Sequence, residues 1–291
     1  MTGSNIRGIA LMTAGMAAFA VGDLFVKLTA LRIPLPQVVL VQALGGLAIF
    51  LVLSWAKSVR LRSPLIWTRP VQIRCWAEIV AALGITTGLA YSELSTAAAL
   101  MQVLPIFAMV GAVVFLGERV GWRRWASVAV GLLGVLVIIR PDGGIEPGLL
   151  AILIGVVGLT ARDLATRAVD PGASSLALSV YSFAALAPVA AIWLLMWGGW
   201  QPVDLVTGLM LATMTLSVAF AFFMVTASLR DGEVSAIIPF RYTRLLFALL
   251  LAFAILGERP DGAVFLGGAL IIGSGLYALL RERRASRPAP A

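Results

Sequence analysis

Two arginines, Arg241 and Arg244, stand in the run IIPFRYTRLLFALLLAFAIL (237–256), which is otherwise apolar enough to cross a bilayer. If that span starts near residue 234, Arg241 lies about 12 Å of helix rise inside it. A charge at the bilayer centre costs at least ~2.5–3.5 kcal/mol, so a pair must meet a wet cavity, a protein carboxylate or a substrate. At i, i+3 the two guanidinium groups share one helix face, and they can bridge or fork a planar carboxylate. Tyr242 stands between them, and with Tyr91 it is a candidate to border the side chain of a substrate. The competing reading is an internal ion pair with Asp23, Glu78 or Glu93 that locks the fold. Pro239, lacking an amide proton, marks a place where this helix can bend or break.

The other charged residues near span ends allow two readings each. Asp23 and Lys27 are i, i+4 at one end of the first span, as Asp163 and Arg167 are at the end of the sixth. They suit salt bridges or caps at the membrane face, or gates that open in alternation. Glu78 and Glu93 suit solvated helix ends, or carboxylates whose burial raises their pKa and couples transport to protons. Trp55, Trp67, Trp122, Trp125, Trp197 and Trp200 fit an interfacial belt. Gly84 and Gly88, Gly131 and Gly134, and Gly273 and Gly275 allow close helix packing.

What is missing narrows the chemistry. The chain has no histidine and a single cysteine, Cys75, so disulfides, zinc motifs and histidine triads are excluded and no metal or cofactor is expected. Glycine runs such as GLLGVLVI lack the Gly-Lys-Ser/Thr ending of a P-loop, and no His-Glu-x-x-His or Gly-x-Gly-Asp motif occurs. These absences point away from an enzyme and from ATP as the energy source. A membrane-embedded enzyme or a scaffold is the alternative of a different class.

The elements that hold these residues are membrane helices. Only 12% of the 291 residues are charged, and the mean hydropathy is +1.00. A soluble domain of this size needs more charge on its surface. The net charge of +8 does not mark a nucleic-acid binder, because the basic residues fall in short segments between apolar runs. Ten spans of suitable length are predicted, near 6–26, 37–56, 75–92, 97–116, 124–140, 147–165, 174–197, 204–228, 234–256 and 261–280. With both termini in the cytoplasm, sixteen Lys and Arg lie on the inner side and four on the outer, leaving only Arg241 and Arg244 in the lipid region.

An offset of 140 residues repeats the pattern. FLGER (115–119) meets ILGER (255–259), and GDLFVK (22–27) meets RDLATR (162–167). An odd number of spans separates the copies, so the halves are inverted. The expected organisation is 1–140 for the first five-helix repeat, 141–280 for the second, and 281–291 for a disordered basic tail. Recurrence of the first span's pattern inside the chain also argues that it is structural and not a signal peptide.

Ten spans in a 5+5 inverted repeat, each half carrying LGER before its last span, resemble the drug/metabolite transporter superfamily, in particular its EamA-type ten-helix branch. The run PFRYTRLLFALLLAFAILGERPD (239–261) is typical of it. The resemblance implies an all-α integral membrane protein of the cytoplasmic membrane, working by alternating access on small metabolites, with amino-acid exporters among its members. It does not fix the substrate. Small multidrug members use a glutamate deep in the first helix; here Asp23 lies nearer the helix end and is followed by Lys27, which argues against a simple cation/proton antiporter. The expected cargo is a carboxylate-bearing metabolite, amino acids first, leaving the cell. The alternative is uptake or exchange of another metabolite such as S-adenosylmethionine. Expected partners are the substrate and the lipid bilayer, without nucleic acid, and one subunit suffices for a pathway.

Overall fold

Continuous apolar runs set most of the helices, and Pro, Gly and charged residues end them. A computed structural model describes residues 3–116, 122–140, 146–170, 172–231 and 238–285. They form α1 (Gly3–Ala30), α2 (Leu35–Ala56), α3 (Arg69–Tyr91), α4 in two pieces (Leu94–Met101 and Leu104–Leu116) and α5 (Trp122–Ile139). The second half holds α6 (Pro147–Arg167), α7 (Ser175–Trp197), α8 (Leu205–Asp231), the composite α9 (Ile238–Leu256) and α10 (Gly262–Ala285). Among the described residues there is no strand, and seven helices are individually long and apolar enough to cross a membrane. The fold is all-α, ten membrane segments in a 5+5 inverted repeat. α10 runs past 280 to Ala285, so the start of the expected tail is helical; 286–291, like the first LGER motif at 116–119 beyond Leu116, lie outside the described residues.

Two helices are discontinuous for sequence reasons. In α4, Pro105 cannot donate to the carbonyl of Met101, and the helix stops at Gln102 and resumes at Leu104. In α9, the break expected near Pro239 is present: a 3-10 turn over Ile238–Tyr242 passes into an α-helix over Thr243–Leu251 and then a π-turn over Ala252–Leu256. Gly257 closes α9 with φ of +67°, a left-handed conformation that glycine adopts without cost.

The chain divides into two compact units, each drawing helices from both sequence halves. One comprises Met1–Val21, Glu93–Glu146 and Phe220–Ala291; the other comprises Gly22–Ser92 and Pro147–Ala219. Glycines bring helices close within each. In the second unit a side chain at Gly84 would meet the backbone of Gly155 and Ala151 at 2.6–2.7 Å, so α3 and α6 touch through their main chains. Phe50 of α2 stacks on Phe183 of α7 with centroids 5.6 Å apart.

These contacts obey the 140-residue offset. Gly15 faces Val225, and shifting both by 140 in opposite directions gives Gly155 and Ile85, which also face each other. In the first unit Gly131 faces Ser274 while Gly134 faces Ile271, a pair of contacts that the same shift exchanges. The symmetry breaks where charge enters: Arg241 and Arg244 correspond to Met101 and Leu104, and a second break lies in the second unit. Gly22 faces Val218 in close apolar contact, whereas the equivalent positions, Arg162 and Glu78, form an ion pair.

Candidate functional site

The arginines of α9 sit where its helix changes type. Arg241 falls in the 3-10 turn and Arg244 in the first turn of the α-helix that follows; both side chains are half-buried. A 3-10 turn breaks the regular ladder of backbone hydrogen bonds, leaving polar backbone near charged side chains inside a membrane segment. The Arg244 guanidinium lies 5.0 Å from the centre of the Phe19 ring of α1, a cation–π distance. Beside it, Met12 and Met16 of α1 are buried against Ile9, Phe19, Val225 and Phe240. The surroundings of Arg244 are thus aromatic and thioether-rich, a compliant apolar wall next to positive charge.

Tyr242 packs against α10. It is buried, its hydroxyl packs onto Gly275 of α10, and that hydroxyl has no hydrogen-bond partner among the described residues. An added methyl group at Gly275 would overlap the Tyr242 hydroxyl, so this glycine makes room for the ring. Tyr91, by contrast, ends α3 at 69% exposure, the position of an interfacial ring.

The LGER motif at 256–259 acquires a physical role. The Glu258 carboxylate accepts from the backbone N–H groups of Leu94 (2.9 Å) and Ser95 (3.0 Å) and from the Ser95 hydroxyl (2.9 Å). It therefore caps the N-terminus of α4, satisfying amide groups that have no partner within that helix. Glu93, itself the residue before α4, is exposed, and the one bond described for its carboxylate is a long 3.4 Å contact from the Thr96 hydroxyl. The motif ties the end of one discontinuous helix to the start of the other.

The second unit holds a separate charged cluster on α3, α6 and α7. Arg162 meets Glu78 at 3.3 Å and Asp163 at 2.8 Å, with these side chains 18–32% exposed. Arg74 is buried; it donates to the Thr166 hydroxyl (3.0 Å), the Leu178 carbonyl (2.8 Å) and the Ser182 hydroxyl. Composition had suggested a surface role for both arginines as topology signals, but α3 starts at Arg69 and draws Arg74 inside. No local signal in the sequence identifies Arg74; the partners that make its burial tolerable come from distant helices. Glu78 is thus engaged by Arg162, and Asp163 by its neighbour on α6, while the side chain of Arg167 lies outside what is described.

At the other end of this unit, Asp23 is buried and Lys27 donates to the Ser92 carbonyl at the end of α3. Outside the membrane segments, Asp204 and Asp261 are both held below the usual carboxylate range. For Asp204 the cause is Thr207, whose hydroxyl and amide both donate to it, with Arg32 adding attraction. For Asp261 it is the Val264 amide first, then Arg140. No group of three or more metal-ligating side chains occurs among the described residues.

The EamA-like transporter family profile matches the chain twice, over residues 6–140 and 146–280. A riboflavin transporter of Rhizobium johnstonii is 31% identical over 218 residues, covering 72% of this chain and 70% of its own. An S-adenosylmethionine uptake transporter of Rickettsia bellii is 24% identical, covering 69% and 68%. The pseudopaline exporter CntI of Pseudomonas aeruginosa is 26% identical, covering 91% and 93%. A solved crystal structure matches the fold with a TM-score of 0.66 at 19% identity, covering 96% of this chain and 99% of that one.

Proposed function

The chain belongs to the EamA-like transporter family, and from that premise we propose that it exports small carboxylate-bearing metabolites, amino acids first, across the cytoplasmic membrane with both termini inside. That it is a multi-pass membrane transporter and not an enzyme follows from the family. The observation that supports the proposed cargo is the Arg241 and Arg244 pair at the 3-10 to α step of α9, beside the Phe19, Phe240 and methionine wall. Guanidinium groups give a carboxylate two parallel hydrogen bonds, and the wall gives an apolar or aromatic side chain its contact surface. Discontinuous helices at a substrate site are a recurrent construction in secondary transporters. In this reading Arg241 binds the carboxylate and Arg244 sets the aromatic contact, while Tyr242 fixes the turn. The Arg162–Glu78–Asp163 cluster and the Lys27–Ser92 contact act as closures at opposite ends of the second unit, released in alternation.

The names of the relatives favour a second reading, uptake or exchange of another metabolite, since one relative is an S-adenosylmethionine uptake transporter and another a riboflavin transporter. Counterflow in proteoliposomes separates the two. Purified protein preloaded with an unlabelled panel of amino acids should accumulate labelled members of that panel. Accumulation of labelled riboflavin or S-adenosylmethionine, with no amino acid exchanged, would establish the second reading instead.

A further inference from the structure

Between α2 and α3 the chain carries a strongly one-signed segment. Residues 57–70 contain Lys57, Arg60, Arg62 and Arg69, and no Asp or Glu occurs anywhere between Asp23 and Glu78. Ser58, at φ of +50°, turns the chain out of α2, and the Val59 amide donates back to the Ser54 carbonyl at 2.8 Å. From there burial alternates. Val59 and Leu61 pack inward against the core formed by Val71, Cys75 and Tyr181 with their neighbours, and the Tyr181 hydroxyl donates to the Leu61 carbonyl at 2.5 Å. Arg60 and Arg62 face outward and are exposed. A two-residue period on an extended segment sets them roughly 7 Å apart on one face.

These arginines line a groove of about 570 Å³ together with Leu51, Trp55, Val59 and Leu61. Trp55 is 84% exposed and stands at the last turn of α2, the depth at which tryptophan meets lipid headgroups. We infer that this groove binds an anionic phospholipid, its phosphate held between Arg60 and Arg62 and its acyl chain lying along Leu51 and Trp55. Both parts of the ligand are needed to match the groove. The pair of guanidinium groups, far in sequence from any carboxylate, calls for a phosphate. The apolar wall continuous with α2 calls for a hydrocarbon chain. The Tyr181 bond pins the backbone at Leu61, between the two arginines, which fixes the stretch that carries them before the lipid arrives. Neither arginine is used by the proposed transport site, so the inference stands whichever substrate is carried.

Native mass spectrometry of the full chain in detergent tests it, with phosphatidylglycerol, phosphatidylcholine of the same acyl chains, and inorganic phosphate as probes. Phosphatidylglycerol should bind saturably and the other two far more weakly. The double variant Arg60→Gln/Arg62→Gln should weaken phosphatidylglycerol binding on the order of 30-fold. Lys57→Gln/Arg69→Gln removes the same charge outside the groove and should change it only a few-fold. Because all four side chains are exposed, both variants keep the packed core. Trp55→Ala should weaken phosphatidylglycerol binding as well. Equal binding of phosphatidylcholine, equal binding of phosphate alone, or equal losses in the two double variants would overturn the site.

Discussion

Glu258 offers a perturbation whose size follows from the geometry. Replacing it with Gln keeps the shape but removes the charge and turns one acceptor oxygen into a donor facing other donors. Two backbone N–H groups and one hydroxyl, all within 3.0 Å, then share a single oxygen. Water is poorly placed to substitute, because Leu94, Ser95 and five further residues of the eight-residue helix are buried. Loss of an N-terminal cap costs ~1 kcal/mol, and loss of negative charge at a partly buried helix N-terminus adds up to ~2 kcal/mol. Together these give about 2–3 kcal/mol, or a fall in Tm of roughly 4–10 °C for a chain of this size. Thermal unfolding in detergent micelles, followed by intrinsic tryptophan fluorescence, reads the shift. Glu93→Gln is the control, since Glu93 is exposed and the bond described for its carboxylate is long; it should unfold within ~0.5 kcal/mol of the wild type. If Glu258→Gln and Glu93→Gln unfold together, Glu258 is not a cap and the role given to LGER fails.

Gly275→Ala should lower stability by about 1–3 kcal/mol through overlap with the Tyr242 hydroxyl, and adding Tyr242→Phe should restore part of the loss in the same unfolding assay. Tyr242→Phe alone removes a buried hydroxyl without a described partner, so it should leave Tm unchanged or raised. In the second unit, Glu78→Gln and Arg162→Gln should each cost about 2–3 kcal/mol, below the full value for a buried pair because both side chains keep some exposure. Their double variant should lose less than the two singles combined, by ~1–3 kcal/mol, in a double-mutant cycle. Asp261 has a depressed pKa when folded, so its contribution is present above the unfolded value of ~3.9 and is lost as pH falls through the folded one. Stability measured below about pH 4 should therefore decline less steeply in Asp261→Asn than in the wild type, with the two running parallel at neutral pH.

The membrane spans were legible because hydropathy alone determines them where a helix is apolar throughout, as in α2 and α7. Their ends were less so. α3 begins at Arg69, several residues before its apolar stretch, because Arg74 finds acceptors on α6 and α7 that hydropathy cannot see. The break in α4 lay within a span read as continuous, although Pro105 carried its signal. The 140-residue repeat was readable from two charged motifs, and its contacts now appear as paired glycine approaches on α1, α3, α6 and α8. The sequence carries a further mark of the repeat: ELS (93–95) and EVS (233–235) stand at the same offset, and Ser95 is a residue that meets Glu258. The placement of Arg241 and Arg244 at a helix irregularity was anticipated from Pro239, whereas the cation–π contact with Phe19 depends on α1 packing beside α9 and has no sequence signature.

The central claim is that Arg241 recognises a carboxylate, and counterflow with matched analogues tests it most directly. Proteoliposomes should exchange an amino acid but not the corresponding amine that lacks the carboxylate. Arg241→Ala should abolish that exchange while its unfolding temperature stays near that of the wild type. Equal exchange of the acid and the amine, or wild-type exchange by a folded Arg241→Ala protein, would contradict the account.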